Sequence, residues 1–354
     1  MKTSDFDFEL PQNLIAQYPP AERGNSRLMV LDRRTGSRER RMVSDLPSLL
    51  EKGTLLVFNN SKVRKARLLG NADNTDAKAE FLLLKKLDNN SWKVLAKRSK
   101  RKKPGSCFTF EDGTRAELAF GGTEGQAVLR FDRAIDDKWL DRFGHIPLPP
   151  YIKRPDTGND TERYQCVYAS RTGSAAAPTA GLHFTGKLME EFKEAGMETV
   201  FITLHVGLGT FLPVRTENIE DHVMHEEACH IGEKEAAAIE KAKKEKRKIL
   251  AVGTTSLRTL ESAWTEGGTL RRGDGLTSIF LYPGARFKVV DMLFTNFHTP
   301  KSTLLMLVSA FAGAFSLSGN AGEIPGRGLI LETYREAIKE NFRFFSYGDA
   351  MLIR

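Results

Sequence analysis

The chain has 354 residues, 40% hydrophobic and 28% charged, an ordinary balance for a globular protein long enough for two domains with separate cores. No apolar run reaches the roughly 18 residues of a membrane span, and Met1-Lys2-Thr3-Ser4-Asp5 opens without an apolar signal region, so a cytoplasmic protein with no membrane partner is expected. The formal net charge of +8 is uneven: residues 61–150 hold 19 Lys/Arg against 12 Asp/Glu, a net of +7, which points to a polyanion partner, with a solvated lysine-rich surface as the bland alternative.

Phe6, Phe8 and Leu10 alternate with acids, the pattern of a half-buried strand ahead of Pro11. Leu28-Met29-Val30-Leu31 predicts a second strand. Gly53-Thr54-Leu55-Leu56-Val57-Phe58 predicts a third, running into the polar Asn59-Asn60-Ser61-Lys62. From 66 to 132 the texture changes. Runs at 79–84, 92–96, 107–110, 115–120 and 127–131 are separated by Asn, Asp and Gly turns, a spacing that suits a small antiparallel barrel. Within it, residues 97–103 carry six cations in seven positions (Lys97, Arg98, Lys100, Arg101, Lys102 and Lys103), which repel one another unless phosphates lie nearby. Pro147, Pro149 and Pro150 mark the return. The expected organisation is therefore an α/β domain with a mixed sheet, residues 1–61 and 151–354, with an inserted basic β-barrel domain at 62–150. A hinge is expected near Lys62 and Pro149. Cys107, Cys166 and Cys229 are odd in number and unpatterned, and read as reduced thiols.

In the second part of the α/β domain, Thr185 is placed to cap a helix carrying Leu188, Phe192 and Ala195, and Gly196 to end it. The run at 199–204 is a buried strand, and His205 leaves its end toward Gly207 and Gly209. Ligands of open α/β sheets bind beyond the carboxyl ends of strands, so His205 is a candidate site residue. Residues 233–246 form a helix and 248–252 a strand. The turn Gly253-Thr254-Thr255-Ser256 then opens another helix, a geometry suited to anions, though neither a Walker loop nor a full dinucleotide fingerprint. Further strands are expected at 276–281 and 287–290, helices at 302–311 and 331–342, and a mobile glycine-rich loop at 316–328.

Three clusters carry chemistry. His222, His225, Cys229 and His230 lie close together; metal binding, catalysis with Glu226 or Glu227, and plain structural histidines are all open. His298, after Thr295-Asn296-Phe297, and Asp291, at the end of a β-rich run, fit substrate holding or proton transfer, with a backbone-bonded core histidine as the alternative. Ser174-Ala175-Ala176-Ala177-Pro178-Thr179-Ala180-Gly181 is nearly free of side chains and suits either close approach of a ligand to backbone amides or tight packing.

Taken together, these stretches resemble the S-adenosylmethionine:tRNA ribosyltransferase-isomerases of queuosine biosynthesis. The matching residues run nearly the length of the chain: Asp5-Phe6-Asp7-Phe8, Leu10-Pro11, Ser26-Arg27-Leu28, Leu55-Leu56-Val57-Phe58-Asn59, Ala176-Ala177-Pro178-Thr179-Ala180-Gly181-Leu182-His183-Phe184-Thr185 and Leu204-His205-Val206-Gly207. They continue with Met224-His225, Glu227, Val252-Gly253-Thr254-Thr255-Ser256, Asp291, Thr295-Asn296-Phe297-His298, Ser302-Thr303-Leu304-Leu305-Met306 and Phe344-Phe345-Ser346-Tyr347-Gly348-Asp349-Ala350-Met351-Leu352. The chain departs from the family pattern at Asn60-Ser61-Lys62 (usually Asp-Thr-Arg), Arg64-Lys65 (Ile-Pro), Glu226 (Ser) and Thr299 (Leu), and 316–328 looks like an insertion.

The resemblance implies that S-adenosylmethionine donates a ribosyl group to 7-aminomethyl-7-deazaguanine at the wobble position of a tRNA with a GUN anticodon. The products are epoxyqueuosine-tRNA, adenine and methionine. No metal or other cofactor is implied, and a monomer is expected. Under that implication His183, His205, His225 and His298 take base or acid roles, since a neutral imidazole near pH 7 suits both. Thr179, Gly253, Thr254, Thr255, Ser256, Asp291 and Glu227 bind the donor, the turn holding its carboxylate and the acids its ribose hydroxyls or a histidine. Arg98, Lys100, Arg101, Lys102 and Lys103 hold tRNA phosphates. A non-catalytic RNA-binding protein, a metal-dependent hydrolase and an ordinary methyltransferase are the competing readings.

Overall fold

The computed structural model describes residues 1–75, 77–96, 103–121, 125–207, 214–314 and 323–354, apart from the side chains of residues 120 and 121. In chain order it contains β1 (Arg27–Leu31), β2 (Arg38–Met42), α1 (Leu46–Leu49), β3 (Leu55–Asn59), β4 (Ser61–Val63), β5 (Arg67–Ala72), β6 (Lys78–Lys86), β7 (Ser91–Ala96), β8 (Cys107–Phe110), β9 (Arg115–Gly121) and β10 (Gln126–Phe131). Then follow α2 (Asp137–Phe143), α3 (Gly158–Arg163), β11 (Arg171–Ser174), α4 (Gly186–Glu194), β12 (Glu198–Leu204), β13 (Glu227–Ile231), α5 (Glu233–Lys244), β14 (Ile249–Val252), α6 (Thr254–Ala263), β15 (Gly273–Thr277), β16 (Met292–Asn296), α7 (Thr303–Gly313), α8 (Arg327–Lys339) and β17 (Ala350–Ile353).

Nine strands make one mixed sheet in the order β15-β13-β12-β3-β14-β16-β17-β1-β2. Its centre, β12-β3-β14-β16, is parallel throughout. Of these, β3, β14 and β16 are buried at every position because both faces are covered. Leu55 and Val57, with Ile249 and Ala251, face one core beside residues of α5 to α8; Leu56 and Phe58, with Leu250 and Val252, face another beside α4. That split is the two-residue period of a strand. Thr185 caps α4 through Leu188 N–H at 3.1 Å, and Gly196 ends it at φ +77°.

Strands β5 to β10 close into an antiparallel barrel in the order β10-β7-β6-β5-β8-β9, inserted between β4 and the rest of the α/β domain. Inward positions alternate with outward ones and fill a core of their own, including Leu68, Phe81, Val94, Phe108 and Leu129. Helix α2 plugs it: Trp139 packs edge-on against Phe110 and donates Nε1–H to Asp112 at 2.7 Å. The first barrel strand, β5, alternates in burial too, Leu68 inward and Leu69 outward, although Gly70-Asn71 breaks the apolar pattern in its sequence. Gly70 packs tightly there, since a Cβ would lie 3.0 Å from the Thr109 carbonyl and 3.1 Å from the Phe110 ring.

The structure differs from the sequence pattern in three elements. The expected strand at residues 6–10 is replaced by a 3₁₀ turn at Thr3–Phe6, because the Asp5 carboxylate accepts the Lys2 N–H at 2.8 Å and closes the chain locally. Residues 287–290 are not a strand: the Glu261 carboxylate accepts the N–H groups of Lys288, Val289 and Val290 at 2.7, 3.0 and 2.9 Å, doing what a neighbouring strand would do. The strand expected at 276–281 lies earlier, as β15. Residues 315–322 of the expected loop fall outside the described residues, and α8 already begins at Arg327.

Candidate active site at the carboxyl edge of the sheet

Because β3, β12, β14 and β16 run parallel, their carboxyl ends share one edge. Asn59, at the end of β3, ties that edge together. Its Nδ2 donates to the Leu204 carbonyl at 3.0 Å and to Thr255 Oγ1 at 3.1 Å; its Oδ1 accepts the N–H of Ser61 at 3.0 Å and of Leu204 at 3.1 Å. One buried amide therefore fixes the ends of β3 and β12 against the first turn of α6.

His205 follows directly. Its Nδ1 lies 2.8 Å from Ser61 Oγ; with the proton on Nδ1, Ser61 accepts it and the Nε2 lone pair is left without a partner among the described residues. The ring lies so close over Gly173 that a Cβ there would sit 2.7 Å from Cε1. Burial first, then the cations Arg64 and Arg171, pull the His205 pKa below its ordinary value. His205 is therefore a neutral imidazole at pH 7, held at one nitrogen and open at the other.

The other three histidines differ. His183 is buried; its Nδ1 lies 2.9 Å from Ser26 Oγ, and its Nε2 accepts Asn296 Nδ2–H at 2.9 Å. Burial, with Arg343 and Arg23 adding to it, lowers its pKa to about 3. His298 is buried too, with Nδ1 and Nε2 each 3.3 Å from a hydroxyl, Tyr334 and Thr295, and burial lowers it to about 3. Neither has a nitrogen left for a substrate. His225 is exposed, two residues before β13.

Of the residues expected around the donor, Thr179, Gly253, Thr254 and Thr255 come together at this edge. Thr179 Oγ1 donates to Asn296 Oδ1 at 3.0 Å, and a Cβ on Gly253 would lie 3.5 Å from both Ala180 Cβ and Thr255 Oγ1. Gly253, at φ +90° and ψ 151°, makes the turn into α6 in a conformation only glycine adopts readily, and no side chain caps the helix. Ser256 is spent on the preceding strand, its Oγ donating to the carbonyl of Val252 at the end of β14 at 2.8 Å. Glu227 has both oxygens taken: Oε2 accepts Arg258 Nη1–H at 2.5 Å, and Oε1 accepts the Gly207 N–H at 3.0 Å. Asp291 is not brought here. It precedes β16 and accepts the Ile249 N–H at 2.9 Å, so it sits at the amino edge, a strand length of roughly 15 Å away.

The loose histidine cluster does not converge either: the His222 ring contacts Phe280 at 5.5 Å, while His230 Nδ1 faces Asp274 at 2.6 Å. Beside Asn60 and Arg171 a cleft of about 310 Å³ opens, walled by Tyr168, Phe201 and His230. Lys103 is exposed; Arg98, Lys100, Arg101 and Lys102 lie outside the described residues. Sequence reading did not count Ser61, Gly173, Asn296 and Arg258 among the site residues; Ser61 and Asn296 have their partners more than 100 residues away, while Gly173 meets His205 and Arg258 meets Glu227 across shorter stretches of chain; Gly173 carried a faint signal, as the glycine just before the small-residue stretch.

The fold is that of an α/β protein with an inserted barrel and a candidate site at the carboxyl edge of its parallel strands. The family described as "Queuosine biosynthesis protein" matches residues 3–353. The S-adenosylmethionine:tRNA ribosyltransferase-isomerase of Treponema denticola is 52% identical over 360 residues, and that of Acetivibrio thermocellus 49% over 357, each alignment covering 100% of both chains. A crystal structure of S-adenosylmethionine tRNA ribosyltransferase from Thermotoga maritima is 34% identical, with a TM-score of 0.55, over 99% of this chain and 100% of that one. The chain belongs to the family of S-adenosylmethionine:tRNA ribosyltransferase-isomerases of queuosine biosynthesis.

Proposed function

We propose that the protein transfers and isomerises the ribosyl moiety of S-adenosylmethionine onto 7-aminomethyl-7-deazaguanine at the wobble position of a GUN-anticodon tRNA, releasing adenine and methionine and leaving epoxyqueuosine-tRNA. Family membership supports the reaction. The observation that carries the residue assignment is the state of His205: neutral, fixed through Nδ1 by Ser61, and with Nε2 unpartnered among the described residues, at the carboxyl edge of the sheet. The donor's sulfonium acidifies the neighbouring ribose C5′ hydrogens, and His205 Nε2 takes one as general base. Adenine leaves, the aminomethyl nitrogen attacks the ribose, and the epoxide closes as methionine departs. Thr179, Gly253, Thr254 and Thr255 border the donor. His183 and His298 act as positioning residues that hold the ends of the site in place, and exposed His225 is available to a substrate approaching from outside.

We assign tRNA docking to the basic segment 62–150, with Arg98, Lys100, Arg101, Lys102 and Lys103 on phosphates. The reaction is assigned to a cytoplasmic monomer that consumes S-adenosylmethionine and uses no further cofactor. The test is direct: incubate the protein with S-adenosylmethionine and tRNA carrying the aminomethyl base, then quantify products by mass spectrometry. Equal release of adenine and methionine, dependent on that tRNA, is expected. Release of S-adenosylhomocysteine would mean methyl transfer instead, and tRNA binding without turnover would mean a binding protein.

A further inference from the structure

Arg258 sits on α6 and is 5% exposed. Only one of its terminal nitrogens is used. Nη1 donates to Glu227 Oε2 at 2.5 Å, and the other oxygen of that carboxylate accepts the Gly207 N–H at 3.0 Å. Nε and Nη2 are buried and have no hydrogen-bond partner among the described residues. A buried charged donor without a partner is costly, and proteins rarely leave one unmatched. Here two are unmatched, and they are adjacent. Nε–H and Nη2–H point the same way along one edge of the planar guanidinium, the fork that takes both oxygens of a carboxylate.

The position of this fork is set by the site already described. Arg258 lies three residues after Thr255, on the same face of α6, and Thr255 Oγ1 accepts from Asn59 at the end of β3. Through Glu227 the guanidinium is also tied to Gly207, two residues beyond His205. The fork therefore lies one helical turn behind the edge where the four parallel strands end. Glu227 holds the guanidinium plane and balances its charge, so a second carboxylate meets a pre-oriented donor pair.

We propose that Arg258 binds the carboxylate at the methionyl end of the donor through Nε–H and Nη2–H, with Glu227 as its positioning residue. This rests on the donor being S-adenosylmethionine. It places that carboxylate on a side chain and not on the amides of the Gly253 turn.

The test compares S-adenosylmethionine with its decarboxylated analogue, in which only the carboxylate is missing. In the wild-type protein the analogue should show a KM about 100-fold higher, with kcat little changed. In Arg258→Lys, which keeps a cation beside Glu227, and in the double variant Arg258→Met/Glu227→Gln, which removes both charges together, the KM for S-adenosylmethionine should rise toward that of the analogue. The ratio between the two donors should then fall to within a few-fold of one. A ratio that stays near 100 in a folded variant overturns the proposal. So does a wild-type protein that binds both donors equally, without any variant being needed. If the wild type releases no adenine from either donor, the reaction assignment has failed, and the two affinities measured by calorimetry still decide the role of Arg258.

Discussion

At the carboxyl edge of the large sheet, Asn59, Ser61, His183 and Asn296 are buried polar residues whose atoms are matched inside the protein. In the barrel the inward positions are almost all apolar, and the basic side chains among the described residues lie outside them. The difference separates two kinds of work. A matched buried network holds a few atoms in place, so one lost contact should be felt sharply. A basic surface acts through summed, screened charge, so each lost cation should be felt modestly and should depend on salt.

The sharpest break in this contrast is His205→Ala. Removing a general base lowers kcat by roughly 10² to 10⁴-fold, with melting temperature little changed, since the ring is only half-buried; unchanged turnover in single-turnover assays would remove His205 from the chemistry. Next is Gly173→Ala. The new methyl would meet the imidazole at 2.7 Å and push it off Ser61, so kcat should fall about 100-fold through misplacement alone. Normal activity in that variant would mean the ring position does not matter.

On the barrel side, neutralising Arg98, Lys100 and Arg101 should weaken tRNA binding roughly tenfold and lower the slope of log affinity against log salt by about 2 to 3, leaving kcat at saturating tRNA intact. An unchanged slope in filter-binding titrations would place the RNA elsewhere.

The smallest effect concerns stability. His183 and His298 are held neutral, with pKa values of about 3 in the fold, against about 6.5 in an unfolded chain. Between those values only the unfolded chain takes up the proton. Stability is therefore complete above about pH 6.5 and is lost as pH falls toward 3, by about 1.4 kcal/mol per pH unit for each histidine. His298→Gln should lose stability less steeply than wild type between pH 6.5 and 5 in denaturant titrations; parallel curves would contradict the buried neutral state.

Much of this was legible in advance, and the reasons are specific. Strands such as Leu55–Asn59 and Ile249–Val252 are buried on both faces and so read as unbroken apolar runs closed by polar or glycine residues. Helix α4 announces itself by Thr185 and Gly196, and the barrel by alternation between polar turns. The failures are equally specific. At residues 287–290 an apolar run finds a carboxylate on another helix as its partner, so the strand begins five residues later. That shift carries Asp291 from the carboxyl edge, where it was expected with the donor, to the amino edge.

The sequence by itself determined the family, the order of the elements, the charge imbalance and the set of histidines from which the site is drawn, because each of these is carried by neighbours along the chain or by long runs of matching residues. Only the tertiary structure decided which histidine keeps a nitrogen without a partner among the described residues, which acid is spent on an arginine, and which arginine is left there with two open donors. Those outcomes depend on burial and on hydrogen-bond partners drawn from distant segments: Ser61 with His205, Asn296 with His183, Glu227 with Arg258. A linear pattern shows that a polar side chain is present; its protonation state and its spare valence are set by what folding packs around it.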